Sequence, residues 1–305
     1  MRLAALAVSI AVLQAQPATP PIRMAVNMAT VESAPVFLAA QGAAGAEMTI
    51  VPGGIPLLVD RTADAATNSE TQILIRSVAN PELRVVMTVA ECWYRIVGRR
   101  SSGIQTLRDL RGKRVGTPAN TSAEYYLSKM LGTVQLREAD VTVVPMPVPE
   151  MAAAMKRGDI DAISGWEPGS EDAITALGAD ASVFQDRSVY RELFNLNTTT
   201  AVLNDPVRRR TLVDVVRAIV AASGEVTARP VGVRSLLSSR INMPPPTIDA
   251  VWRHFRFPVS LPSDLLNVMV EEDRWVAAAQ KRAPRERAQL QTLVDDTVLR
   301  DARHK

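Results

Sequence analysis

A chain of 305 residues with 47% hydrophobic and 22% charged residues can bury one large core or two medium ones, which excludes a disordered chain. The formal net charge of +3 is too small to grip a nucleic-acid backbone, and the late basic residues Lys281, Arg282, Arg285 and Arg287 alternate with Ala, Pro and Glu as on a solvated helix face. The single cysteine, Cys92, excludes an intramolecular disulfide and a thiolate metal cluster.

The chain opens with Met1-Arg2 and an apolar run over 3–13, followed from Gln16 by a polar, Pro-rich stretch. That is the plan of a secretory signal peptide over 1–15, cut after Ala15, and it predicts export to the periplasm. The run is shorter than the roughly 20 apolar residues that a membrane-spanning helix needs. A buried first strand of a cytosolic protein is the alternative.

Strands and helices then alternate in short units, which predicts an α/β fold with mostly parallel sheets flanked by helices. Residues 22–27 read as a strand and 34–40 as a helix, with Ser33 as cap and Pro35 in its first turn. A strand over 48–51 ends at Pro52-Gly53-Gly54, a helix covers 68–78, and a β-branched strand covers 83–89. The polar stretch 98–103, flanked by glycines, suits a crossover. Beyond it come a strand at 113–116, a helix at 123–131, a strand at 141–144, a helix at 149–156 stopped by Gly158, and a strand from 160. Residues 195–203 read as a returning strand, after which the chain turns helical over 206–223, 230–237, 246–254 and twice more between 263 and 298. The expected organisation is one lobe of 22–97 plus 199–305 and a second of 98–198, joined by two hinge crossings.

Three helices are expected to begin right after strands on hydroxyl or amide residues: around Thr30 and Glu32, at Thr67-Asn68-Ser69, and at Asn120-Thr121-Ser122. At one edge of a parallel sheet their N-termini would face a common crevice and offer N–H groups to an anion or carbonyl oxygen. Thr121-Ser122-Ala123-Glu124 matches a capping box. Most such caps only stabilise helices, by about 1 kcal/mol each; three of them in a two-lobed plan point to a ligand. Aromatic residues are scarce, at 4%, and Trp93 and Trp166 stand at the first crossing and after a middle-lobe strand, where a ring can cover a ligand or pack a hinge. Glu167 beside Trp166 could pair with an ammonium. The two histidines, His254 and His304, form no metal set, and no phosphate loop is present, so no cofactor is expected. An enzyme would have to work with Glu32, Glu167 or Cys92.

The segment Ile104-Gln105-Thr106-Leu107-Arg108-Asp109-Leu110-Arg111-Gly112-Lys113-Arg114-Val115-Gly116 resembles a signature of periplasmic solute-binding proteins of the nitrate/sulfonate/taurine, NMT1/THI5-like type. The stretch from Met151, with Gly158-Asp159-Ile160-Asp161-Ala162 and Trp166-Glu167-Pro168, is similar to a second segment of that family. This resemblance implies a two-lobed type II periplasmic binding protein fold, a small-molecule ligand between the lobes, an ABC transporter permease as partner, and a monomer. It also implies ligand contacts at Thr30, Glu32, Thr67, Asn68, Thr121 and Ser122. Family substrates include alkanesulfonates, taurine, nitrate, aromatic acids and thiamine-precursor pyrimidines. Glu32 and Glu167 disfavour an inorganic anion, which leaves a small anionic or zwitterionic organic solute, its head group at Thr121-Ser122 and the remainder against Trp93 or Trp166. A pyrimidine binder and an enzyme on the same fold stay open.

Overall fold

A computed structural model describes residues 20–42, 47–228 and 230–304. The expected signal peptide, 1–15, lies outside the described residues. In chain order the strands are β1 (Ile22–Val26), β2 (Met48–Pro52), β3 (Ala65–Ser69), β4 (Leu83–Cys92), β5 (Arg95–Arg99), β6 (Arg114–Thr117), β7 (Thr142–Pro145), β8 (Ala162–Gly165), β9 (Ala181–Phe184), β10 (Glu192–Thr199) and β11 (Phe255–Arg256). They form two sheets, β11-β4-β10-β3-β1-β2 and β7-β6-β8-β5-β9, each flanked by helices. No helix among the described residues is long and apolar enough to cross a membrane.

The α/β architecture with two sheets is as expected, but the sheets are mixed rather than mostly parallel. β1 runs parallel to β2 and β3, and β6 parallel to β7 and β8. The strands next to the crossings run the other way: β10 is antiparallel to β3 and β4, and β5 to β8 and β9. A strand entering from the neighbouring lobe arrives at the opposite end of the sheet from one delivered by a local helix, and so it runs against the βα units.

The chain changes sheet at Trp93-Tyr94, between β4 and β5, and again over 185–191, between β9 and β10. Gly98 and Thr198, at the expected boundaries, lie inside β5 and β10. Gly98 is a packing glycine, not a turn: a Cβ there would sit 2.6 Å from Ile104 Cγ2. At the other end, Thr199 caps the short helix Thr200–Asn204, accepting from the Val202 N–H at 3.4 Å, so the strand expected to reach 203 stops sooner.

The junction between the lobes is aromatic. Tyr94 stands edge-on to Tyr126 and Tyr190, with ring centroids 5.9 and 5.8 Å away, and Tyr125 stands edge-on to Tyr190 at 5.4 Å. Farther out, the second-lobe helix Ser122–Thr133 faces the first-lobe helix Leu265–Ala279. Lys129 pairs with Glu271, and the Tyr125 and Trp275 rings lie 5.5 Å apart. Trp275 Nε1 also donates to Glu138 Oε1 at 2.8 Å.

Candidate ligand-binding site

A cavity of about 340 Å³ opens between the lobes, with walls contributed by six separate segments. The loop after β1 supplies Asn27, Thr30 and Glu32; the end of β3 supplies Asn68 and Ser69; the turn after β6 supplies Asn120, Thr121 and Ser122. Trp166 follows β8, Tyr94 comes from the first crossing, and Glu192 heads β10 just after the second. Seven expected residues are thus gathered on one cavity: Thr30, Glu32, Asn68, Asn120, Thr121, Ser122 and Trp166.

Thr30 caps the single turn Val31–Ser33; its hydroxyl accepts from the Glu32 N–H at 3.2 Å and donates to the Glu32 carboxylate. Ser33 Oγ ties the loop back to the Asn27 carbonyl at 3.0 Å. Thr121 holds the N-cap position of the helix Ser122–Thr133, yet the expected capping box does not form. Its hydroxyl donates to the Pro118 carbonyl at 2.7 Å, and the Glu124 carboxylate accepts instead from the Asn120 N–H at 2.6 Å. The first-turn amides therefore stay free of a side-chain cap on the cavity side. Ser122 Oγ lies 2.9 Å from Tyr94 Oη.

Three expected residues are elsewhere. Thr67 and Asn68 belong to β3, not to a helix start, so alternation along the strand sends only Asn68 toward the cavity and buries Thr67. Trp93 points away from its neighbour Tyr94 into a second cavity, where the Arg187 and Arg256 guanidinium groups lie 5.1 and 5.2 Å from its ring. Glu167 is fully buried and already occupied: it accepts from Arg95 Nε at 2.7 Å and from the Glu171 N–H at 3.1 Å. It does not line the cavity.

Sequence reasoning missed Tyr94, Glu192, Gln72 and Arg76 on the cavity wall. Glu192 carried a readable signal, a lone charge heading the otherwise uncharged strand Glu192–Thr199. Tyr94 was masked by the larger Trp93 beside it.

The site is acidic. Burial, with the charge of Glu167 adding, pushes the Glu32 carboxyl up to about 8 against its own backbone hydrogen bond. Burial pushes Glu192 well above the usual carboxylate range; the charges of Glu32 and Glu70 add, and the hydroxyls of Tyr94 and Ser122 pull it back. Glu192 Oε2 is buried without a hydrogen-bond partner among the described residues. One donor atom each from Glu32, Cys92 and Glu192 lie within 4.8 Å of one another, a set that a metal ion could take. Cys92 is fully buried, and burial, with Glu32 next, pushes its thiol well up. A thiol held protonated in that way is a poor ligand and a poor nucleophile. Behind this floor, Glu70 accepts from Tyr190 Oη at 2.7 Å and from the Leu193 N–H at 2.9 Å, and the Thr71 hydroxyl donates to Glu272.

A sequence-family profile described as NMT1/THI5 like matches residues 42–230. The taurine-binding periplasmic protein of Escherichia coli (strain K12) is 26% identical over 132 residues, 43% of this chain and 32% of its own length. The chain spans about a third of the length of the first curated relatives it matches. Among solved structures, the alkanesulfonate-binding protein SsuA from Xanthomonas axonopodis pv. citri, bound to MOPS, superposes with a TM-score of 0.73 at 20% identity. That superposition covers 92% of this chain and 99% of SsuA. The desulfurization enzyme DSZB superposes with a TM-score of 0.66 at 17% identity, covering 94% and 100% of the two chains. One architecture thus serves both a binding protein and an enzyme.

Proposed function

Because the chain belongs to the NMT1/THI5-like family, we propose that it is the solute-binding component of an ABC importer, exported by its N-terminal segment to the periplasm. It holds a small anionic or zwitterionic organic solute, sulfonate-like or taurine-like, between its lobes and hands it to the permease as a monomer. The observation that carries this reading is the convergence of six segments, from both lobes and the crossing at Tyr94, on one cavity of about 340 Å³. That volume suits a small organic molecule, and a ligand touching both lobes favours their closed arrangement. The names of the taurine- and alkanesulfonate-binding relatives supply the solute class.

Within the cavity we assign the acidic end of the solute to the uncapped first turn at Thr121 and Ser122 and its body to Trp166. Thr30, Asn68 and Asn120 complete the wall. We read the protein as a binder and not an enzyme: Cys92 is sealed from the cavity by burial, and His254 lies outside the cavity lining.

A thermal-shift panel of sulfonates, taurine and small carboxylates tests the reading. A ligand at a hundredfold excess over its Kd stabilises the fold by about 2.7 kcal/mol, which moves the melting curve by several degrees. A panel in which no compound moves the curve rejects the solute class.

A further inference from the structure

We propose that the floor of the cavity is a cation seat in which Glu32 and Glu192 grip a protonated amino group, so that the solute is an amine-bearing one and amine-free sulfonates are excluded. This rests on the solute-binding reading and narrows it.

The two carboxylates are 2% and 4% exposed, line the same cavity, and approach it from the same end of the first sheet, one on the loop after β1 and one at the head of β10, which runs antiparallel to the neighbouring β3. Neither has a basic side chain to balance it among the described residues. The buried Arg95 is held by Glu167 at 2.7 Å and Glu171 at 2.8 Å, and Arg76, the one arginine on the described cavity wall, is exposed at its edge. Glu192 Oε2 has no hydrogen-bond partner among the described residues, although the Tyr94 and Ser122 hydroxyls act on the same carboxyl. Two facing carboxylates in a poorly solvated pocket need a proton or a cation from outside, since burying an uncompensated charge costs several kcal/mol.

An ammonium brings both a positive charge and three donors. It would satisfy Glu192 Oε2 and bridge to Glu32. Trp166 and Tyr94, with ring centroids 6.4 Å apart, offer aromatic faces beside the seat. The cavity is far larger than one ion, and Cys92, the third member of the donor set, is fully buried with its thiol proton held. Those facts favour an organic amine over a metal ion.

Calorimetric titration with matched pairs tests the seat: taurine against ethanesulfonate, and β-alanine against propionate, on the mature chain. The expected result is binding of an amine member at least tenfold tighter than its amine-free partner, with that preference lost in Glu192→Gln and in Glu32→Gln. Both variants are near-isosteric, and a cooperative melting curve verifies folding. Equal or tighter binding of the amine-free member overturns the seat and leaves the solute-binding reading standing. Binding of neither member of either pair overturns both. Binding of Zn²⁺ alone, lost in Cys92→Ser, overturns the amine seat in favour of a metal.

Discussion

The side-chain amide of Gln72 donates to the backbone carbonyl of Asn120 at 2.9 Å, joining a first-lobe helix to the turn that opens the second-lobe helix Ser122–Thr133. Both residues line the cavity, so this bond closes one edge of it. Asn120 sits at φ 56°, in the left-handed region that Asn tolerates better than most residues. Gln72→Leu is expected to speed ligand release several-fold in stopped-flow measurements. The melting temperature should change little, because an exposed hydrogen bond contributes only about 0.5–1.5 kcal/mol. An unchanged release rate would show that the bond does not hold the lobes.

Arg95 is the buried counter-charge of Glu167, with side-chain exposures of 4% and 0%. Arg95→Met strips Glu167 of its counter-charge, so the buried carboxyl must either stay charged and unpaired, at a cost of about 3–5 kcal/mol, or take up a proton. Urea denaturation should show that loss, and the double variant Arg95→Met/Glu167→Gln should recover most of it. A single variant as stable as the parent would mean that Glu167 is neutral in the native protein.

The stability of the empty protein should fall as pH rises from about 6.5 to 8.5. Burial is the leading cause of the raised values of Glu32, at about 8, and of Glu70 and Glu167, at about 7, against an ordinary 4.5. A carboxyl raised in the folded state binds its proton more tightly than the unfolded chain does. Its stabilisation is complete below about pH 4.5 and is lost as pH climbs through the folded value, on the order of 1 kcal/mol per group per pH unit. His254, pushed down to about 3 by burial and then by Arg95, acts in the opposite sense, but only below its ordinary 6.5. Denaturation midpoints at pH 6.5, 7.5 and 8.5 check this; a flat or rising series contradicts it.

Glu32→Gln should separate stability from binding. Removing a buried ionisable group that lacks a basic partner is expected to raise the denaturation midpoint at about pH 8 and to flatten the pH series above, while ligand affinity falls. A variant that is less stable and binds normally would place Glu32 in the framework and not in the site.

Features with a local chemical cause were legible in the sequence. Gly158 ends the helix Val148–Arg157 at φ 81°, and the β-branched run became β4, buried almost throughout. β3 was not legible. Its Ala-Ala-Thr-Asn-Ser sequence has little strand preference, and it is held extended by β1 on one side and β10 on the other. The helix Gly169–Leu177 and β9 also went unread, as did a third helical piece near the end, where Leu265–Ala279, Arg287–Gln291 and Thr297–Arg303 stand in place of two. Within the site, the loops after strands could be read because their caps are local. Which of two adjacent residues faces the cavity depends on register, which only the assembled sheet fixes; that is why Trp93 and Thr67 were chosen and Tyr94 was not.

In the first sheet, β10 lies between β4 and β3, although more than ninety residues of chain separate it from β4 in sequence. A ribosome making this protein from its beginning therefore exposes β3 and β4 long before the strand that unites them exists. Pairing so distant in sequence is slow to form. The first sheet is thus completed only after the second, whose five strands all lie between residues 95 and 184.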